Sequence, residues 1–280
     1  MTAAVIYRGL RVAEHLMTGA VVALYIRARY GSGAAPEWRS ALVRWWHARL
    51  CRALGVRLEV QGSLAPRCLL VGNHISWLDI PAIGAQAEIG FLSKAEVRKW
   101  PLIGWMAAVA GTCFIERGGN QSDQVLENLR TELAQGRAIM IFPEGTTTDG
   151  RAVKRFHPRL LAAAQGAGAD LQPIAISYHK GTDPRPDQDV PYIGEDTLIA
   201  NLWRLMRHPA LVARIRFLPP IRHREGEQRR VLAERARAAV LAALDLPPEP
   251  QCVSTKEPPL AAKQTRRNAP QPDPNPARAS

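Results

Sequence analysis

The chain has 280 residues, 46% hydrophobic and 22% charged, with 37 Lys+Arg against 25 Asp+Glu and a formal charge of +12. That composition excludes wholesale disorder, and the length suits one large domain with appendages. The basic excess favours a negatively charged partner, whether nucleic acid, an anionic membrane surface or a phosphorylated substrate, and charge alone does not choose among them. Cys51, Cys68, Cys113 and Cys252 are widely spaced and form no Cys-x-x-Cys pair. A disulfide framework and a Cys-rich zinc site are therefore not expected, and the chain reads as reduced and cytosol-facing.

In chain order, residues 1–50 stand apart. Leu16–Ile26 is an apolar run with Arg8 and Arg11 before it and Arg27 and Arg29 after it. No Ala-x-Ala-like cleavage site follows convincingly. The run alone is shorter than the roughly 20 apolar residues a bilayer span needs. Trp38–Leu50 mixes Trp38, Trp45 and Trp46 with Arg39, Arg44 and Arg49. That mixture suits the headgroup region of a membrane, the alternative being an ordinary amphipathic helix packed on the domain. We read 1–50 as interfacial, membrane-anchoring helices.

Residues 51–246 read as a catalytic domain of alternating strands and helices. Cys68–Val71, Gly90–Leu92, Thr112–Ile115, Ala138–Phe142 and Gln172–Tyr178 are strand-like. In Val212–Leu218, Ala213, Ile215 and Phe217 alternate with Arg214 and Arg216, which predicts a half-exposed strand. Ser122–Gln135 is a predicted helix with Ser122 as N-cap, Val125, Leu126, Leu129 and Leu133 on one face, and Gly136 as the stop. Leu160–Gln165 and Glu225–Leu244 are further helices. This order predicts an α/β fold, a mostly parallel sheet flanked by helices. Residues 247–280, rich in Pro, Ala, Gln, Asn and Ser, form a tail that cannot offset its ordering entropy and is expected to be disordered.

Three segments carry chemistry, each where a strand-like run ends, which is where open α/β sheets bind ligands. In Val71-Gly72-Asn73-His74-Ile75-Ser76-Trp77-Leu78-Asp79, a His and an Asp lie five residues apart, and a helical turn brings them to one side. A carboxylate on one imidazole nitrogen fixes the tautomer and leaves the other nitrogen to take a proton from a hydroxyl. A helix-capping Asn beside a solvated His accounts for the same letters. Cys113-Phe114-Ile115-Glu116-Arg117-Gly118-Gly119 ends a strand on an Arg whose fork suits phosphate, or on a surface Arg before a turn. Phe142-Pro143-Glu144-Gly145-Thr146-Thr147-Thr148 offers Gly-exposed N–H groups to an oxyanion or phosphate, or is a tight turn. Lys94 is a further cation after a strand.

Taken together and in order, these segments resemble the glycerolipid acyltransferases, in particular the bacterial 1-acylglycerol-3-phosphate (lysophosphatidic acid) acyltransferases. Asn73–Asp79 is similar to their His-x4-Asp motif, Phe114–Arg117 to the second motif, Phe142–Thr146 to the third and Gln172–Ala175 to the fourth. Lys94–Glu96 and Pro101–Gly104 resemble the stretch between the first two. The likeness runs from about Leu50 to about Leu218.

The resemblance implies that His74 is the general base and that Asp79 orients it. A hydroxyl then attacks the thioester carbonyl of acyl-carrier protein or acyl-CoA, with no acyl-enzyme and no cofactor. It implies that Arg117 holds the acceptor phosphate, that Glu144, Gly145 and Thr146 shape the acceptor site with backbone N–H groups near Gly145 for the oxyanion, and that Lys94 lines the pocket. The expected product is phosphatidic acid. The expected place is peripheral, on the cytoplasmic face of the inner membrane, with the lysophospholipid acceptor, the acyl donor and the membrane surface as partners and no nucleic acid. One departure stands out: Thr147 and Thr148 occupy positions where the family commonly has Arg then Ser. A cation is missing from a loop that meets the headgroup. Either Lys154 or Arg155 replaces it, or the acceptor differs, with a lyso-ornithine lipid as the alternative.

A serine hydrolase finds no Gly-x-Ser-x-Gly elbow, and Ser76 reads as structural. A nonenzymatic basic membrane binder would make the ordered motifs a coincidence. His15, His47, His157, His179, His208 and His223 lack zinc-ligand spacing, so no metal is expected.

Overall fold

A computed structural model describes residues 3–30, 38–100, 102–109, 112–115, 121–224 and 226–247. Arg117, Glu225 and the tail from 248 lie outside the described residues, and of Lys94 only the backbone is described. The elements run α1 (Ala3–Tyr30), α2 (Arg39–Leu54), β1 (Val56–Gln61), β2 (Cys68–Gly72), α3 (Asp79–Gly84), β3 (Ile89–Lys94), α4 (Ala95–Arg98), α5 (Ile103–Val109), β4 (Cys113–Ile115), α6 (Gln121–Ala134), β5 (Ala138–Ile141), α7 (Ala162–Ala167), β6 (Asp170–Lys180), α8 (Leu198–Arg207), β7 (Leu211–Phe217) and α9 (Arg229–Ala243).

Seven strands form one sheet in the order β1-β7-β6-β2-β5-β3-β4. All neighbours are parallel except β6 and β7, which pair antiparallel. The mostly parallel α/β architecture is thus as expected. Parallel strands covered on both faces read as continuous apolar runs, and every residue of β2 and β5 is buried. Successive residues serve opposite faces. Leu69, Val71, Ile139 and Ile141 pack with α6, α7 and α9. Cys68, Leu70 and Met140 pack toward α2 and α3, joined by Val12 of α1 and Leu205 of α8. Burial pushes the Cys51 and Cys68 thiols up to about 12, so both are inert packing groups.

Several local expectations shift. α6 starts at Gln121, so Ser122 lies inside it, and the chain leaves through Gly136 at φ 82°. β7 is mostly buried rather than half-exposed. It lies between β6 and β1, Arg214 reaches Glu59 at 3.0 Å, and Arg216 donates to the Ala243 carbonyl at the end of α9. The last helix is shorter than expected, α3 continues the helical turn expected at Asp79, and β1 and α8 go beyond the sequence reading.

The largest shift is α1. Its apolar character does not begin at Leu16, because Ala3 to Leu10 extends the same helix to 28 residues, about 42 Å at 1.5 Å per residue. By length and composition that is enough to cross a membrane. Yet Val5, Val12, His15, Gly19, Ala23 and Ile26 form a buried stripe along its whole length. Ile6, Tyr7, Leu10, Met17, Val21, Leu24 and Tyr25 are exposed, and at 100° per residue they lie on the opposite side. The Arg8 guanidinium donates to the Met206 and His208 carbonyls at 3.0 and 2.6 Å, capping α8. His15 stacks on Trp46 at 4.2 Å. Burial lowers His15 and His47 to about 4, so both are neutral packing rings. Residues 3–30 and 38–50 are therefore built into the body.

Gly72 closes β2 against β6, where a Cβ would stand 2.6 Å from the Ile174 carbonyl oxygen and 2.9 Å from Met140 Cε. Gly72→Ala should force the two strands apart and cost about 1–3 kcal/mol, as overpacking does. Urea unfolding of the two proteins checks this.

Candidate active site

The site is built at the carboxyl end of β2. Five-residue β2 stops at Gly72 while eleven-residue β6 continues. Beyond Gly72, the Asn73 side chain stands in for a strand. Its Nδ2 donates to the Ile176 carbonyl and its Oδ1 accepts from the Ile176 N–H, both at 2.9 Å. Asn73 is thus buried scaffolding that fixes where the next residue begins.

His74 follows, and its Nδ1 lies 2.7 Å from Asp79 Oδ2. Asp79 opens α3 and is fully buried. Its Oδ2 also accepts the Ile75 and Ser76 N–H groups at 2.7 and 3.1 Å, and its Oδ1 accepts the Tyr178 hydroxyl at 2.7 Å. Burial and the neighbouring Asp79 carboxylate hold the Tyr178 phenol well above its ordinary value, so it remains a donor. The His74 ring stacks on Phe142, centroids 4.0 Å apart and planes 12° off parallel. With Nδ1 on the carboxylate and one face covered, Nε2 is the nitrogen left for a substrate. The His74 side chain is 20% exposed. Ser76 is fully buried and its hydroxyl has no partner among the described residues, so it presents no nucleophile.

Glu144, after β5, is buried with each oxygen taken by a backbone donor. Oε1 accepts the His74 N–H and Oε2 the Lys154 N–H, both at 2.7 Å. Desolvation pushes its carboxyl up to about 7, against the pull of those two bonds. Glu144 therefore braces the His74 loop from within. Gly145 sits at φ 69° and its N–H donates to the Phe142 carbonyl at 3.1 Å. It forms the tight turn, and its own N–H is already committed there. Thr146 is exposed.

The two threonines at the divergent positions are fasteners. Thr147 donates its hydroxyl to the Tyr192 carbonyl. The Thr148 N–H donates to the His74 carbonyl at 2.8 Å. Arg155 points to Glu234 of α9 at 3.9 Å, while Lys154 is exposed. The segment before α8 completes the clamp: Tyr192 N–H donates to the Ile75 carbonyl at 3.0 Å, and Trp77 Nε1 to Asn201 Oδ1 at 2.8 Å. Tyr178 and Asn201 escaped sequence reasoning because they lie 99 and 124 residues from their partners. Lys94, expected just after a strand, is the last residue of β3, where its backbone pairs with Ile115 of β4.

Asp187, Asp189 and His208 bring potential ligand atoms within 4.8 Å of one another. His208 Nε2 bonds Asp187 Oδ2 at 2.8 Å and its Nδ1 accepts the Ala210 N–H at 3.3 Å. With both ring nitrogens engaged, this group reads as a structural pair that fastens the turn before β7.

Comparison with known proteins bears on this geometry. Residues 57–177 match a family model described as Acyltransferase. The chain is 47% identical over 221 residues to a lyso-ornithine lipid O-acyltransferase of Pseudomonas aeruginosa, covering 78% of this chain and 84% of that protein. It is 33% identical to a protein of the same description from Brucella abortus, over 74% of this chain and 84% of that one. It is 31% identical to a 1-acyl-sn-glycerol-3-phosphate acyltransferase of Neisseria meningitidis, over 75% and 83%. In fold it is similar to the crystal structure of the 1-acyl-sn-glycerophosphate acyltransferase PlsC from Thermotoga maritima, with a TM-score of 0.62 at 19% identity, over 86% of this chain and 94% of that one. With identity this high across most of the relatives' length, and with His74 and Asp79 of the His-x4-Asp motif joined at the end of β2, the chain belongs to the acyltransferase family of lysolipid-acylating enzymes.

Proposed function

We propose that this acyltransferase moves a fatty acyl group from an acyl-carrier-protein or acyl-CoA thioester to the free hydroxyl of a lyso-ornithine lipid. The observation that carries the chemistry is the His74–Asp79 bond at 2.7 Å. Asp79 holds Nδ1 and supports positive charge on the ring, so Nε2 takes the proton as the hydroxyl oxygen attacks the thioester carbon. The tetrahedral intermediate collapses, the C–S bond breaks, and the imidazolium returns its proton to the departing sulfur. No acyl-enzyme forms and no cofactor is needed. With the Gly145 N–H engaged in its turn, the oxyanion donor lies elsewhere in the site.

The acceptor follows from the loop after β5. The family's usual cation is absent at Thr147, both threonines are consumed in holding the loop, and Arg155 faces Glu234. A headgroup with its own ammonium fits such a loop better than a bare phosphate. The 47% and 33% relatives carry that acceptor in their names. Lysophosphatidate, giving phosphatidic acid, is the second reading. The 31% relative and Arg117 at the end of the second motif favour it, with Lys94 as a further cation.

The outer side of α1 supports a membrane-surface location for the reaction. A helix buried along one side from Val5 to Ile26 lies against the body, so its opposite apolar stripe meets lipid sideways. The chain then sits as a monotopic protein on the cytoplasmic face, where its thiols stay reduced and its thioester donors reside.

Acyl transfer from labelled acyl-carrier protein to the two acceptors in micelles tests the reading. Product from the lyso-ornithine lipid alone is expected, with His74→Ala lowering turnover about 10²–10⁴-fold; product only from lysophosphatidate would reverse the acceptor. Tyr178→Phe leaves a buried carboxylate oxygen unpaired, so kcat should fall about tenfold with both KM values unchanged. Steady-state kinetics on the purified variant check this.

Glu144 gives a pH signature. Its folded value of about 7 exceeds the ordinary 4.5. The folded state therefore holds the proton more tightly between those values, and stability falls as pH rises through that window and levels off above it. The loss is about 3 kcal/mol at 1.36 kcal/mol per unit. Glu144→Gln should remove that slope, measured by urea unfolding at pH 4.5, 6 and 8.

A further inference from the structure

The mechanism leaves one exposed apolar face unused. α8 carries Ile199, Leu202, Trp203 and Met206 at the i, i+3, i+4, i+7 spacing of a single stripe. Its inward side, Asn201 and Leu205, is buried in the body. Leu202 and Met206 pack against the core, and Met206 lies beside Gly9 of α1. The start of the stripe is bare: Ile199 is 80% exposed and Trp203 39%. Ile193, in the turn leading to the helix, is 45% exposed. The stripe therefore begins in solvent and ends beneath α1.

We propose that the Ile199–Trp203 face of α8 is a second membrane contact, seated in the headgroup region of an anionic bilayer beside the outer stripe of α1. The proposal rests on the membrane placement given above for α1. Three observations select a bilayer as the occupant. First, the bare face continues an apolar surface. Ile6, Tyr7 and Leu10 are exposed on the half of α1 that α8 meets, and Arg8 fixes the two helices together through the Met206 and His208 carbonyls. Second, the composition suits an interface: an amphipathic Trp next to an aliphatic side chain, with Arg207 exposed at the basic end of the helix. Of the two neighbouring acids, Asp196 is neutralised by Arg204 at 2.5 Å, and the exposed Glu195 is offset by the exposed Arg207. Third, the face is mechanically joined to the catalytic loop. Asn201 of the same helix accepts from Trp77, and Tyr192 two turns of chain earlier donates to Ile75. Seating α8 on lipid thus sets the height of the His74 loop above the acyl chains, where the hydroxyl of a lysolipid lies.

The test uses the full chain and vesicles of phosphatidylethanolamine and phosphatidylglycerol. A double variant, Ile199→Glu with Trp203→Glu, changes only exposed positions and should melt with the parent. Its partition into vesicles by flotation should fall at least tenfold, while acyl transfer to micellar acceptor stays within twofold. Brominated-chain lipids give an independent reading: they should quench the parent's fluorescence more than that of Trp203→Phe. Unchanged partition, or equal quenching of parent and Trp203→Phe, overturns the proposal. Unchanged partition with a raised KM for the acyl-carrier-protein thioester also overturns it, and assigns the face to the donor protein. Partition and quenching are read without turnover, so a protein inactive on both acceptors would sink the enzymatic reading alone.

Discussion

Everything at the candidate site hangs on a carboxylate placed where water cannot reach it. An ionised group in a low-dielectric interior is tolerated when its charge is met by oriented donors. Asp79 has His74, two backbone N–H groups and the Tyr178 phenol. Those donors come from the loop after β2 and from the distant strand β6, while the carboxylate itself opens α3, so the group is satisfied only when β2, β6 and α3 are assembled. The imidazole orientation is then a property of the whole sheet edge. Asn73 pins the loop to β6, Glu144 pins it to the turn after β5, and Thr148 ties its N–H to the His74 carbonyl. Three independent fasteners converge on the residues flanking one ring.

This arrangement recasts the polar residues of the third motif. Read along the chain, Glu144 and the threonines are polar groups next to a glycine and look available for a ligand. In space Glu144, Thr147 and Thr148 are held by the protein's own backbone groups, and Thr146 alone of these is exposed. Glu144 is 4% exposed and serves two backbone amides. The motif braces the loop by shape and by rigidity, and Thr147 shares in that through its bond to the Tyr192 carbonyl.

How much of this was legible depended on range. Buried parallel strands announce themselves as short apolar runs, so β2, β5 and β6 were readable, as was the proximity of His74 and Asp79 within one turn. β7 reads as half-exposed because Arg214 and Arg216 alternate with apolar residues, whereas in the fold each finds a partner. β1 is half polar and has no apolar run to find. Tyr178 and Asn201 gave no local signal, since their meaning lies in contacts about a hundred residues away. In α1 the unbroken apolar run covers only Leu16–Ile26, although the burial stripe keeps helical period from Val5 to Ile26. Arg117 lies outside the described residues, and its role rests on the motif.

Arg8 has a consequence for how such a protein can be handled. Because it closes the end of α8, and because Val12 of α1 and Cys51, Ala53 and Leu54 of α2 share one core cluster with the sheet, α1 and α2 form a roof over one face of the sheet. Cutting them away would strip the hydrophobic ceiling from the sheet. A water-soluble form is better reached by repainting, exchanging Ile6, Leu10, Met17, Val21 and Leu24 for polar residues while the inner stripe is left intact.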